Sequence, residues 1–191
     1  MHALILYDDG RPEAALDPVE AVLTERLQAA GWTVETLRTS ALSIRPCVGC
    51  FTCWTRTPGE CGMDDDARTY AKAHARSQLF VVLTPVSFGG YSGRTKTALD
   101  HIVPNIFPTI TLRKGEVHHP LRYPALRGWL NIGWQPVPDA ACAETFAALN
   151  VRNGLNGDVK LSDTLVFTPA DNAAARTAAV HALLQKVEAL P

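Results

Sequence analysis

The chain has 191 residues, of which 47% are hydrophobic and 19% charged. That is long enough to bury a core without disulfide or metal staples, and it excludes a disordered or low-complexity chain. A formal net charge of −1 gives no electrostatic case for nucleic acid or an anionic membrane as partner.

No apolar run approaches the ~18 residues that would span a bilayer. The opening MHALILYDDG lacks a basic region and a small-residue cleavage site, so a cytoplasmic protein is expected. In that compartment the five cysteines become informative. Four fall within fifteen positions (Cys47, Cys50, Cys53, Cys61), which suggests metal, cofactor or redox chemistry more than structural disulfides. Cys142, in an Ala-rich helical stretch, reads as a small core residue.

In chain order, residues 2–7 (HALILY) form a short apolar run that predicts a buried strand. Asp17-Pro-Val-Glu20 predicts a helix start, with Asp at N-cap, Pro at N1 and Glu at N3. Gly31 is placed to stop that helix. Residues 33–37 alternate as a strand and lead into a cysteine-rich loop at 45–66. Asp64 or Asp65 is expected to cap a second helix reaching about Arg76, which also accounts for the acidic run Asp64-Asp-Asp66 without a metal. Residues 79–84 (LFVVLT) carry the strongest strand signal. A Gly-rich loop at 85–93 and a third helix follow, then a proline-rich irregular insertion or small hairpin at 104–124. A fourth strand is expected at 129–132, a fourth helix at 139–149, a fifth strand at 165–168 and a last helix at 172–190.

Five strands alternating with five helices predict one α/β domain over 1–191 with a parallel sheet covered on both faces. Right-handed crossovers favour the flavodoxin-like strand order 2-1-3-4-5, with ligands outside the carboxyl ends of the strands. The loops at 8–17, 84–93 and 131–139 would then line the site.

Two motifs carry a resemblance. Pro46-Cys-Val-Gly-Cys-Phe-Thr-Cys53 with Gly59-Glu-Cys61 and Asp64–Asp66, followed by LTPVSFGGYSGRTKTALDHI, resembles the NADPH-dependent FMN reductases of the flavodoxin-like superfamily. The resemblance runs over about residues 1–135 and implies an FMN-dependent NAD(P)H oxidoreductase that reduces a small acceptor, a flavin or quinone, and forms a homo-oligomer. It puts Thr84, Pro85, Val86, Ser87, Phe88 and Gly89 beside the flavin ring, although Ser87 stands where the family commonly has a larger aromatic. Backbone N–H groups near glycines suit a reduced flavin, whose negative charge such donors stabilise. Gly133 and Trp134 would face the ring's other side, and a packed or interfacial tryptophan is the alternative.

The first loop fits this pattern less well. The resemblance implies an FMN phosphate held there, with Gly10 and Arg11 as its ligands. Yet no Ser or Thr occurs between Tyr7 and Thr24, Pro12 and Pro18 each remove a donor, and Asp8, Asp9, Glu13 and Asp17 face one guanidinium. A carboxylate ~4 Å from a phosphate repels it by about 4 kcal/mol at a surface-like dielectric. Either Gly10 and Arg11 point inward while the acids face water, or FMN binds weakly or not at all.

The spacing C-x2-C-x2-C-x7-C has iron–sulfur arithmetic. It is similar to the compact motif of iron–sulfur flavoproteins, and that likeness implies Cys47, Cys50, Cys53 and Cys61 as ligands of a [4Fe–4S] cluster. Free thiols, a disulfide or zinc are the alternatives. His118-His119 reads as a solvated loop, since neighbours on an extended segment point apart. His101 reads as a favourable charge at a helix end. Three functions stay open: a flavin reductase, an iron–sulfur flavoprotein electron carrier, and a cofactor-free module acting through a partner or thiol switch.

Overall fold

The computed structural model describes residues 1–10 and 15–190. Five parallel strands, β1 (His2–Tyr7), β2 (Thr33–Arg38), β3 (Leu79–Ser87), β4 (Gly128–Trp134) and β5 (Leu161–Phe167), lie in the order 2-1-3-4-5. This is the expected flavodoxin-like arrangement. One short addition was not foreseen: Gly90–Tyr91 folds back antiparallel onto β3.

The strands alternate faces, and that alternation builds two cores. Ala3, Ile5 and Tyr7 of β1 pack toward helices α1 (Asp17–Ala29) and α5 (Ala173–Glu188), meeting Leu23, Leu27, Val180 and Leu184. Leu4 and Leu6 point the other way with Phe80 and Val82. They meet Tyr70 and Ala73 of α2 (Ala67–Arg76), Ala98 of α3 (Gly93–Leu99) and Phe146 of α4 (Ala140–Asn156). The sheet centre is apolar on both sides because both sides are covered. The edge strand β2 is only partly buried.

Several element ends differ from the sequence expectation. β3 continues to Ser87 because Thr84 and Pro85 pair with Gly133 and Trp134 of β4. The Gly-rich "loop" is a tight hairpin turning at Phe88 and Gly89, whose φ angles are 50° and 73°. Positive φ at both central positions is what a two-residue hairpin with the sheet's twist requires. Gly89 answers that demand, and a Cβ there would also lie 2.7 Å from Thr145. The insertion at 104–124 contains a small hairpin, Thr111–Arg113 with Glu116–His118. α4 and α5 start as expected, on Asp139 accepting from the Cys142 amide and Asn172 accepting from the Ala175 amide.

The start of α1 corrects the sequence reading. The helix begins at Asp17, Leu16 occupies the N-cap position, and among the described residues no side chain caps it. Asp17 instead accepts from the Tyr7 phenol at 2.6 Å, and Glu20 accepts from Thr36 Oγ1 and Arg38 Nη2, both at 3.1 Å. Donors at the ends of β1 and β2 take these carboxylates away from the helix amides. At α2, Asp65 accepts from the Ala67 amide at 3.0 Å, while Asp66 accepts from Ser43 N and Asp65 also holds Arg45. The acidic run thus ties down the segment that enters the cysteine loop.

Candidate functional site

A cavity of about 170 Å³ opens at the carboxyl ends of β1, β3 and β4, where ligands sit in this class of fold. Pro85, Val86 and Ser87 form one wall and Trp134 another, with Asp8 and Leu16 toward α1. Of the residues expected here, these four β-strand positions line it. Thr84 does not: it is fully buried, and its hydroxyl accepts from Ser92 N at 3.3 Å and Thr95 Oγ1 at 3.0 Å, fixing the start of α3. Gly133 lies behind the wall, where a Cβ would meet Val86 at 2.5 Å and Phe146 at 3.1 Å, so only glycine lets β4 approach so closely. Phe88 and Gly89 form the hairpin tip. Phe88 is 100% exposed and strained in the left-handed region, unusual for a bulky residue.

Asp8 and Asp9 of the first loop are occupied by donors. Asp8, 7% exposed, accepts from Thr39 Oγ1 at 2.9 Å, from Gly10 N at 3.2 Å and from the Ser92 hydroxyl in a short contact. Asp9 accepts from Ser40 N at 3.0 Å and Ser40 Oγ at 2.7 Å. Burial alone would raise the Asp9 carboxyl, but the Ser40 hydroxyl and amide outweigh it and hold it below its ordinary value. Burial and then the Asp17 carboxylate push the Tyr7 phenol far upward.

Two cations join the picture that a one-loop reading missed. Arg38 bonds Glu20 and lies over the Tyr7 ring at 4.9 Å. The Arg94 guanidinium, from the first turn of α3, fills the space a side chain at Gly10 would take. Of the first-loop acids, Asp8, Asp9 and Asp17 thus meet donors on other segments. Arg11, Pro12 and Glu13 lie outside the described residues.

These features are tests of whether a flavin mononucleotide fits. The Trp134 indole N–H is buried in the cavity wall with no hydrogen-bond partner among the described residues, a donor without an acceptor. Among the described residues no side chain caps the first turn of α1, and Ala15 and Leu16 just before it line the cavity. An apolar wall, an unused donor and an uncapped helix start suit a planar ring with a phosphate tail.

The cysteine loop lies apart, on the α2–α3 side. All four cysteines line one small cavity of about 60 Å³ with His101 and Asp100. Cys47 and Cys50 are exposed, whereas Cys53 and Cys61 are buried. Thr52's hydroxyl and amide hold Cys50 below the usual thiol value, while burial and then Cys61 push Cys53 up. His101 corrects the reading of a surface charge: it is 1% exposed. Its Nε2 lies 2.8 Å from the Arg45 carbonyl, which has no proton to give, so Nε2 carries the proton and Nδ1 faces Cys61 Sγ at 3.7 Å. Among the described residues no three His, Cys, Asp or Glu side chains are grouped so as to hold a metal ion. Four thiols around one cavity do match the donor chemistry of a cluster. Trp54 anchors the loop, donating to the Val103 and Ile106 carbonyls at 3.1 Å each and stacking on Phe51.

His118 also departs from expectation. It is buried, with Nδ1 2.8 Å from Asn156 Oδ1, while His119 packs on Trp54. No described helix is long and apolar enough to cross a membrane.

Comparison with known proteins adds three findings. The family model of NADPH-dependent FMN reductases matches residues 11–116, more than half of the chain. An iron–sulfur flavoprotein of Archaeoglobus fulgidus is 30% identical over 86 residues, 45% of this chain, and the match spans only 38% of that protein's length. Among solved structures, an NAD(P)H:quinone oxidoreductase from Methanothermobacter marburgensis superposes with a TM-score of 0.69 at 14% identity, over 98% of this chain and 97% of that one. An FMN-dependent NADH-azoreductase from Bacillus anthracis, in complex with FMN, gives 0.67 at 11% identity, over 97% and 98%. At such identities the likeness speaks for the fold.

Proposed function

The chain belongs to the NADPH-dependent FMN reductase family, and on that premise we propose that it is an FMN-dependent NAD(P)H oxidoreductase reducing a small acceptor such as a quinone or flavin. The observation that carries this reading is the cavity at the carboxyl ends of β1, β3 and β4, with its unpartnered Trp134 donor. When bound, the flavin supplies the hydride-accepting and electron-donating chemistry. The chain's own part is positional. Pro85 and Val86 give an apolar seat, Ser87 a hydroxyl at its rim, and Trp134 Nε1–H a hydrogen bond. Asp8 keeps the first loop and the start of α3 together through Thr39, Gly10 and Ser92; Gly10 and Arg11 are the proposed ligands of the phosphate.

A homo-oligomer completes this reading. Leu112 and Val117 are cross-strand partners on one face of the hairpin, 75% and 63% exposed, and Phe88 is wholly exposed. A second copy would cover these exposed apolar side chains. Light scattering on the purified protein tests this, with a monomer as the refuting result.

FMN titration is the decisive experiment. Flavin fluorescence should quench at micromolar protein, riboflavin should bind more weakly for want of a phosphate, and NADH or NADPH should then bleach the bound flavin. No quenching by either flavin removes the proposal.

A second reading is favoured by the four cysteines around one cavity. In it Cys47, Cys50, Cys53 and Cys61 would hold a [4Fe–4S] cluster, which supplies one-electron steps. Iron and acid-labile sulfide assays on anaerobically purified protein should then approach four of each per chain, and values near zero end it.

A further inference from the structure

A second and larger cavity, about 260 Å³, lies at the opposite end of the sheet. Trp129 stands near the start of β4, and His74 is in the last turn of α2. The segment at 102–126 covers the space with Ile102, Asn105, Leu121 and Leu126. Among the described residues no Asp, Glu, Lys or Arg lines it. The wall is mostly apolar in area, with Asn105, Asn153, Asn156 and His119 among its polar members, and it holds no carboxylate, ammonium or guanidinium to offset the desolvation of an ionic ligand.

One polar group in that wall is unsatisfied. Asn105 Nδ2 donates to the Ala71 carbonyl at 2.9 Å, which fixes the orientation of the amide, and the same nitrogen lies 3.2 Å from His74 Nδ1. Nδ1 is thus the acceptor, and the proton sits on Nε2. Nε2 is buried and has no hydrogen-bond partner among the described residues. The ring is held edge-on to Phe80, with centroids 4.8 Å apart, and 6.1 Å from Trp129. Burial brings the imidazole down to about 4, so it is neutral near pH 7. A neutral donor without an acceptor, in an apolar cavity, calls for a ligand atom that accepts.

We propose that this cavity is a second binding site, for a neutral one- or two-ring aromatic molecule carrying a ring nitrogen or carbonyl oxygen that accepts from His74 Nε2–H. Size agrees: an apolar cavity of roughly 150 Å³ stays dry and takes benzene, so this one has room for a second ring. Trp129, backed by Phe80, offers an aromatic ring in the wall, and Tyr123, 43% exposed, also lines the cavity. The site is independent of whether the flavin cavity is occupied.

Quinoline and naphthalene test it, since they share shape and differ in one acceptor atom. Each is titrated near neutral pH into the ¹⁵N-labelled full chain, following the Trp129 indole and Gly157 amide signals. Both should give saturable shifts there, with quinoline about tenfold tighter, the size of one hydrogen bond to a buried donor. In His74→Phe the naphthalene affinity should persist and the ratio fall to about one. Absence of saturable shifts at Trp129 and Gly157, or equal affinities in the unsubstituted protein, overturns the proposal even if the variant fails to fold.

Discussion

At the carboxyl ends of the strands the sheet is finished with carboxylates, hydroxyls and arginines. At the amino ends of β3 and β4 it is finished with aromatic rings. Asp8, Asp9 and Asp17 each find donors at the first end. At the second, Phe80, His74 and Trp129 pack edge to face. Between them runs a buried polar link: the Tyr91 hydroxyl bonds Asn131 and Asn150, Asn153 donates to it, and Trp129 Nε1 donates to Asn131. The contrast teaches that one parallel sheet can carry two cavities of opposite character. Parallel strands place all their carboxyl ends, and with them the helix amino termini, on one side. The other side must recruit its chemistry from an insertion.

The largest expected effect comes from breaking the aromatic end. Trp129→Ala should cost about 3–5 kcal/mol, read as a drop in the urea midpoint. FMN affinity of the folded fraction should stay within about twofold if the ends act separately. A larger change would mean that the Tyr91–Asn131 link couples them.

His74 sharpens the contrast through pH. Its folded value, about 4, lies below the ordinary 6.5 because burial penalises the cation. The unfolded chain therefore takes up a proton first as pH falls. The contribution is fully present above pH ~6.5 and is lost progressively down to pH ~4, by on the order of 3 kcal/mol. His74→Phe should flatten that part of the stability curve in denaturant melts at stepped pH.

The polar end gives a smaller effect. Asp8→Ala leaves Thr39, Ser92 and Gly10 without their acceptor. A loss of about 1.5–3 kcal/mol is expected, together with weaker FMN binding, because the first loop and the start of α3 lose their common anchor. Unchanged flavin affinity would separate Asp8 from the site.

Phe88→Ser should be the smallest in stability, within about 0.5 kcal/mol, because the ring is wholly exposed. Its effect belongs to assembly or turnover. Light scattering and steady-state rates should move while the melting curve does not.

Legibility followed the range of the forces. The apolar runs of β1 and β3, the helix starts near Asp139 and Asn172 and the order of elements depend on neighbours a few residues away, and they were visible in one dimension. The turn at Phe88–Gly89 was not, since nothing local announces a phenylalanine at positive φ. The first loop misled because its acids were counted within their own segment. Their partners, Thr39, Ser40, Ser92 and Arg38, sit about twenty to eighty residues away. His101 and His118 misled in the same way: the burial of each depends on segments far from it in sequence.

By itself, then, the amino-acid order determined the alternation of strands and helices, the parallel sheet that follows from it, and two motifs placing the chain among flavin reductases. Those rest on periodicity, caps and local spacing. Only the tertiary structure decided that Asp8, Asp9 and Asp17 have hydrogen-bond donors on distant segments, that all four cysteines line one cavity, and that His74 Nε2 has no partner among the described residues. A carboxylate or an imidazole takes its meaning from the donors and acceptors that surround it in three dimensions, and distant strands supply those.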